Sequence, residues 1–117
     1  MIRKKSEIRE RVVMHAMGGE GYVKFQDWLL PEEFPGHGRV ISKVVIPAGC
    51  SIGYHKHEGE FEAYVLVQGK ASLNDNGTEY MLEVGDMHLC RNGEAHSIAN
   101  AGDEDLVLSA VILKDLA

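Results

Sequence analysis

Short stretches of alternating or β-branched apolar residues, each closed by glycine, proline or an Asn-Gly pair, run the length of the chain. Alternation with a period of two places every second side chain on one face of an extended strand. Residues 12–17 form a short apolar run that Gly18-Gly19-Glu20-Gly21 ends. Residues 22–30 set Tyr22, Lys24 and Gln26 against Val23 and Phe25, and the Pro/Gly-rich segment 31–38 stops them. Residues 39–46 are rich in β-branched side chains and close at Pro47-Ala48-Gly49. Further on, residues 62–67, 71–73, 79–82, 87–91, 96–99 and 106–113 have strand character. Strands 71–73 and 79–82 are expected to pair across Asn74-Asp75-Asn76-Gly77, because Asn-Gly supplies the positive φ of a tight hairpin. No amphipathic helix is predicted beyond a possible first or last turn, so the chain reads as an all-β, antiparallel barrel or sandwich.

The chain has 117 residues, enough for a single core. We expect one domain over residues 12–117, preceded by a mixed-charge arm over residues 1–11 that is frayed or only locally ordered. Hydrophobic residues at 44% and charged residues at 26% are those of an ordinary globular chain. The absence of an apolar run near 20 residues, and of an apolar signal core at the start, predicts a cytoplasmic protein with no membrane partner. A net charge of −6 argues against nucleic acid as a partner, and no DNA-binding segment is evident, so a fused regulator is not expected. The two cysteines, Cys50 and Cys90, are too few for a disulfide framework and read as free, packed thiols.

Chemistry concentrates in residues 49–69. His55 and His57 are two apart, so on a strand they share a face with Cα atoms roughly 6–7 Å from each other, close enough to reach one ion. Glu62 follows His57 by an odd number of positions and on an unbroken strand would point away. A turn at Gly59 restarts the parity and lets Glu62 face the histidines. A third imidazole, His96, follows a turn at Gly93-Glu94-Ala95.

Together the two segments resemble the cupin family. The first fits G-x5-H-x-H-x4-E-x6-G at Gly49, His55, His57, Glu62 and Gly69. The second fits G-x5-P-x-G-x2-H-x3-N at Gly85, Gly93, His96 and Asn100, with Arg91 where the family usually has proline. The resemblance implies a double-stranded β-helix, or jelly-roll, barrel. It also implies one divalent transition metal (Fe, Mn, Ni, Co, Cu or Zn) on His55, His57, Glu62 and His96. Such a ligand set leaves positions open for a small organic substrate. The implied activities are oxygenase, decarboxylase, isomerase or lyase. The alternative is a metal-dependent module that binds or senses a small ligand without turnover. Small single-domain cupins commonly pair, and the surplus apolar area of residues 22–30 and 106–113 also predicts a homodimer in which the N-terminal strands cover the partner's sheet.

Other residues are candidates by position. Glu58 and Glu60 read as turn carboxylates at the rim, with Glu60 a possible general base. Tyr64 and Leu66 share parity with Glu62, and Ile98 with His96, so these three are expected to wall the pocket, Tyr64 as a second catalytic candidate. Tyr54 is expected at the mouth, His37 exposed in its loop, and His88 hydrogen-bonded or exposed. Oxalate chemistry usually places an arginine shortly before the first histidine. Here those positions hold Ser51, Ile52, Gly53 and Tyr54, so oxalate is disfavoured, and Arg39 and Lys43 are the only nearby cations the sequence offers in its place.

Overall fold

The computed structural model describes residues 1–116. Its strands in chain order are β1 (Arg9–Met14), β2 (Tyr22–Leu29), β3 (Gly38–Ile46), β4 (Ser51–Lys56), β5 (Glu60–Gln68), β6 (Ala71–Asp75), β7 (Thr78–Leu82), β8 (Met87–Cys90), β9 (Ala95–Asn100) and β10 (Leu106–Lys114). One sheet runs β1-β2-β3-β10-β5-β8, the other β4-β9-β6-β7, and every pairing is antiparallel. The two sheets face each other as an all-β barrel of the jelly-roll type. Helix among the described residues is limited to 3₁₀ turns at Lys5–Glu7, Ala16–Gly18 and Pro31–Glu33.

Alternation explains the barrel wall. Along β3, Val40, Ser42, Val44 and Ile46 are buried while Arg39, Ile41, Lys43 and Val45 are at least partly open. Val23, Ile46, Leu66, Leu73, Ile98, Leu106 and Leu108 meet in the interior. Each fully buried branched side chain there stabilises the barrel by about 1.5–3 kcal/mol. Strand β10 lies between β3 and β5, in the middle of its sheet, which accounts for its apolar run.

The N-terminal segment departs most from expectation. The strand expected over residues 12–17 instead covers Arg9–Met14 and pairs with β2, Arg9 opposite Asp27 and Arg11 opposite Phe25. His15 and Met17 adopt left-handed backbone, at φ 49° and 52°, and turn the chain into the Ala16–Gly18 turn. That turn rests directly on β4. A Cβ at Gly53 would overlap the Met17 carbonyl, and one at Gly19 the Ser51 carbonyl, so only glycine fits at either place. Arg3 ties the first residues down through Glu33, at 2.9 and 2.7 Å, and the Trp28 carbonyl.

Three irregularities set up the site. The β6–β7 hairpin pairs Asp75 with Thr78, so its loop is only Asn76-Gly77, both at positive φ. In β3, Gly38 stands opposite Leu113 and Val40 opposite Ile112, which leaves Arg39 as the extra residue of a bulge. In β4, Ile52 pairs with Ile98 and His55 with His96, so Gly53 and Tyr54 together oppose Ser97.

Candidate metal centre

The β4 bulge is what aims the first histidine. Ile52 faces the interior, and strict alternation would turn His55 three residues later to the outside; the extra residue restores it to the inner face. The chain then reverses at Gly59, φ 75°, after His57 has exchanged backbone hydrogen bonds with the 93–94 turn. Parity restarts as anticipated, and Glu62 on β5 returns to the side of the histidines. His96 comes from β9, paired directly with His55.

Four donor atoms converge. His57 Nε2 lies 3.1 Å from Glu62 Oε1 and 3.1 Å from His96 Nε2. His96 Nε2 is 3.1 Å from Glu62 Oε1 and 3.2 Å from His55 Nε2. His57, Glu62 and His96 are buried and His55 half-buried, and the set could hold a metal ion. Adjacent ligands about 2.1 Å from one ion stand about 3 Å apart, close to these separations.

The far side of each ring fixes its orientation. His55 Nδ1 lies 2.7 Å from the Gly53 carbonyl, which can only accept, so Nδ1 carries the proton and Nε2 a lone pair. His57 Nδ1 donates to Glu60 Oε2 at 2.6 Å. His96 Nδ1 pairs with His88 Nε2 at 3.0 Å, and donation from His96 leaves its Nε2 free as well. Three lone pairs and a carboxylate oxygen therefore point into one small volume. Without an ion a proton must relieve that crowding. The hydrogen bond to Glu62 raises the His57 pKa against the opposing effect of burial. Burial alone would push the Glu62 carboxyl up, but the His57 and His96 imidazoles against it outweigh that and hold it at about 2. Burial depresses His55 and His88. A proton caught among well-oriented ligands is what a divalent cation displaces.

Beside this cluster lies a cavity of about 200 Å³. His55, His57, Glu62 and Tyr64 form one wall. Val13, Phe25, Val40, Val44, Ile52 and Ile112 make the apolar lining, with Arg11 and Arg39 among them. The Tyr64 ring stacks on His96 at 5.3 Å and 9°. Burial, reinforced by the Glu62 charge, raises its phenol well above the usual value, so it stays protonated. Leu66 and Ile98 are buried on the same face but lie in the core rather than along the cavity, so the wall expected of Tyr64, Leu66 and Ile98 is supplied by other residues apart from Tyr64. Tyr54, at 54% exposure, points outward and does not line the cavity.

Glu60 is more than a rim carboxylate. One oxygen holds His57, and both accept from Arg39, at 2.9 and 2.8 Å. The bulge turns Arg39 to the cavity, away from the face it was expected to share with Lys43, which lies in an outer groove with Glu10 and Gln26. Arg11 escaped the sequence reading altogether, having been placed in a loose arm. Its Nε and Nη2 grip buried Asp27 at 2.8 and 2.9 Å, and its guanidinium lies 4.6 Å above the Phe25 ring. Asp27 also accepts from Arg9 and, at 2.6 Å, from Ser42. Its burial favours protonation, yet Arg11, Ser42 and Arg9 together hold its carboxyl at about 2. Cys90 is fully buried and its thiol is pushed up to about 12, first by burial and then by Glu62, which fits packing and not reactivity.

Comparison with known proteins agrees with this architecture. Residues 42–112 match the cupin domain family. Over 113 residues the chain is 37% identical to a Thermotoga maritima protein named "Oxalate-binding protein", covering 97% of this chain and 93% of that one. A Thermotoga maritima crystal structure described as a predicted oxalate decarboxylase superposes with a TM-score of 0.92 at 36% identity, covering 98% of this chain and all of that one. The structure of KdgF from a Halomonas species gives a TM-score of 0.76 at 15% identity over 98% of this chain and 95% of that one, a likeness of fold alone.

Proposed function

The chain belongs to the cupin family, and on that footing we propose that it carries one divalent transition metal on His55, His57, Glu62 and His96 and binds a small organic acid beside it. The observation that carries the reading is the committed far side of every imidazole: the Gly53 carbonyl, Glu60 and His88 each hold an Nδ1, which aims three Nε2 atoms and Glu62 at one another. A divalent ion at that point would supply Lewis-acid charge next to the cavity. The acid class is supported by two guanidiniums, Arg11 and Arg39, in an otherwise apolar wall, and by the relative named for oxalate binding. The reason for disfavouring oxalate, a missing arginine before the first histidine, therefore loses its force: the cations come from β1 and β3.

Turnover, of the decarboxylase or oxygenase kind, is a second reading favoured by Tyr64. Its phenol lines the cavity next to Glu62 and, staying protonated, can offer a hydrogen bond that orients a bound ligand. Glu60 is the weaker catalytic candidate, because its oxygens are already engaged by Arg39 and His57. We propose a cytoplasmic homodimer as its form. Support for pairing comes from β1 at an open sheet edge and from exposed Val12 and Met14 on it. No helix among the described residues is long and apolar enough to cross a membrane.

The test is metal analysis of tag-free protein purified without added metal, followed by calorimetric titration of the loaded protein with oxalate. Stoichiometric metal and saturable oxalate binding are expected. Retention of stoichiometric metal with unchanged affinity after His96→Ala would refute the ligand set. Release of CO₂ or uptake of O₂ on adding the acid distinguishes turnover from binding alone.

A further inference from the structure

We propose that Arg11 reads the second negative charge of a dianionic ligand, so that the cavity selects a dianion over a monoanion of the same shape. This rests on the metal and acid reading above. The charged groups gathered at the cavity and its supporting network are Arg9, Arg11 and Arg39 against Asp27, Glu60 and Glu62. Those six cancel. A divalent ion brings the total to two positive charges on one side of a cavity whose remaining lining, with Val13, Val40, Val44 and Ile112, offers no counter-charge. A dianion restores balance, and a monoanion leaves one charge unmet.

Hydrogen bonding locates the surplus. Arg39 is matched one to one, with Nε and Nη2 each on an oxygen of Glu60. Arg9 and Arg11 share a single carboxylate, Asp27, and only Arg11 lines the cavity. Two of its nitrogens are held by Asp27, and Nη1 has no hydrogen-bond partner among the described residues. Asp27 below and the Phe25 ring at 4.6 Å hold the guanidinium in a fixed plane, so a third donor is offered with little loss of freedom. The hydrogen bond to Asp27 raises the Arg11 pKa, while the neighbouring Arg39 charge opposes it. An anion between the two guanidiniums relieves that repulsion.

Oxalate and oxamate, its near-isosteric monoanion with one carboxylate replaced by an amide, provide the probe. Calorimetry on Mn(II)-loaded wild type should show oxalate bound roughly tenfold or more tightly than oxamate. Arg11→Gln should weaken oxalate roughly ten- to hundredfold and oxamate by less than about threefold, with Mn(II) affinity unchanged. Lys43→Gln removes a positive charge in the outer groove, away from the cavity, and should leave both within about threefold. An unaltered oxalate preference in Arg11→Gln, or its loss in Lys43→Gln as well, would overturn the assignment while leaving the metal and acid reading intact. Wild type that loads Mn(II) but binds neither acid would overturn both. If Arg11→Gln loses its native circular dichroism, Arg11→Lys is the second variant: it keeps the charge, so the oxalate preference must persist in it, and its disappearance counts against the proposal.

Discussion

Asp27→Asn should cost the metal-free protein up to about 2.5 kcal/mol at pH 7 and much less in acid. Asparagine has nearly the shape of the protonated carboxyl but cannot carry the charge that Arg9, Arg11 and Ser42 converge on. The folded carboxyl titrates at about 2 against an ordinary 3.8. At about 1.36 kcal/mol for each pH unit between them, the ionised form contributes about 2.5 kcal/mol. Asp27 is 3% exposed, but Arg9 and Arg11 are 46% and 38% exposed, so about 2.5 kcal/mol is the upper bound and salt reduces it. Because the folded value is depressed, the contribution is complete above pH 5, falls to about half at pH 3, and is gone below pH 2. Urea unfolding with chelator present, followed by tryptophan fluorescence, should place the variant up to about 2.5 kcal/mol below wild type at pH 7, and the two should converge toward pH 2. Thermal unfolding at pH 7 should drop by up to about 10 °C for a domain of this size. Equal stabilities at pH 7, or a gap that persists unchanged to pH 3, would show that the carboxylate is not clamped as described.

Glu60→Gln removes the charged acceptor from His57 and frees Arg39; metal affinity measured against a competing chelator should fall roughly ten- to hundredfold with the fold intact. Metal affinity should also fall on acidification, beginning above the ordinary histidine value of 6.5, because the His57 pKa is raised and its proton competes for the ligand position; an affinity flat from pH 8 to 6 would contradict this. The same raised value gives the metal-free fold a contribution that is full below pH 6.5 and disappears as pH rises through the folded value of His57. Light scattering at micromolar concentration should return twice 12.9 kDa, and a single-chain mass would defeat the homodimer.

Three members of the cluster were legible because their geometry is local, and His96, 41 residues from His55, because it stands in the second cupin-like motif. A two-residue spacing, one turn glycine and one returning strand bring His55, His57 and Glu62 together, and His96 pairs directly with His55. The cations were not. Arg39 was grouped with Lys43 by alternation, and only the bulge at Gly38–Val40 separates them. Arg11 reaches the cavity because β1 pairs with β2 and β2 with β3, two long-range registers that no short window of residues 1–11 contains. Mixed charge in that window resembled a solvated arm, whereas Arg9 and Arg11 are there to meet Asp27. His88 was expected to be hydrogen-bonded or exposed; it is buried, and its partner, the far nitrogen of His96, is a tertiary fact. Glu60 was seen as a rim group for the same reason: its distance from Arg39 along the chain hides their contact.

The seam at Gly19 and Gly53 divides the cavity between two stretches of sequence. Every candidate ion ligand lies after it, in the family-matched stretch, whereas Arg11, Val13, Met17 and Phe25 come before residue 42. The backbones meet there without side chains, and the first thirty residues are seated on the barrel by this contact and by the pairing of β2 with β3. On the proposed reading, ligand preference can drift, or be redesigned, by exchanging the leading segment while the candidate ion site is inherited whole. A graft needs glycine kept at both positions of the joint, and the new segment re-lines the side of the cavity that Arg11, Val13 and Phe25 now form.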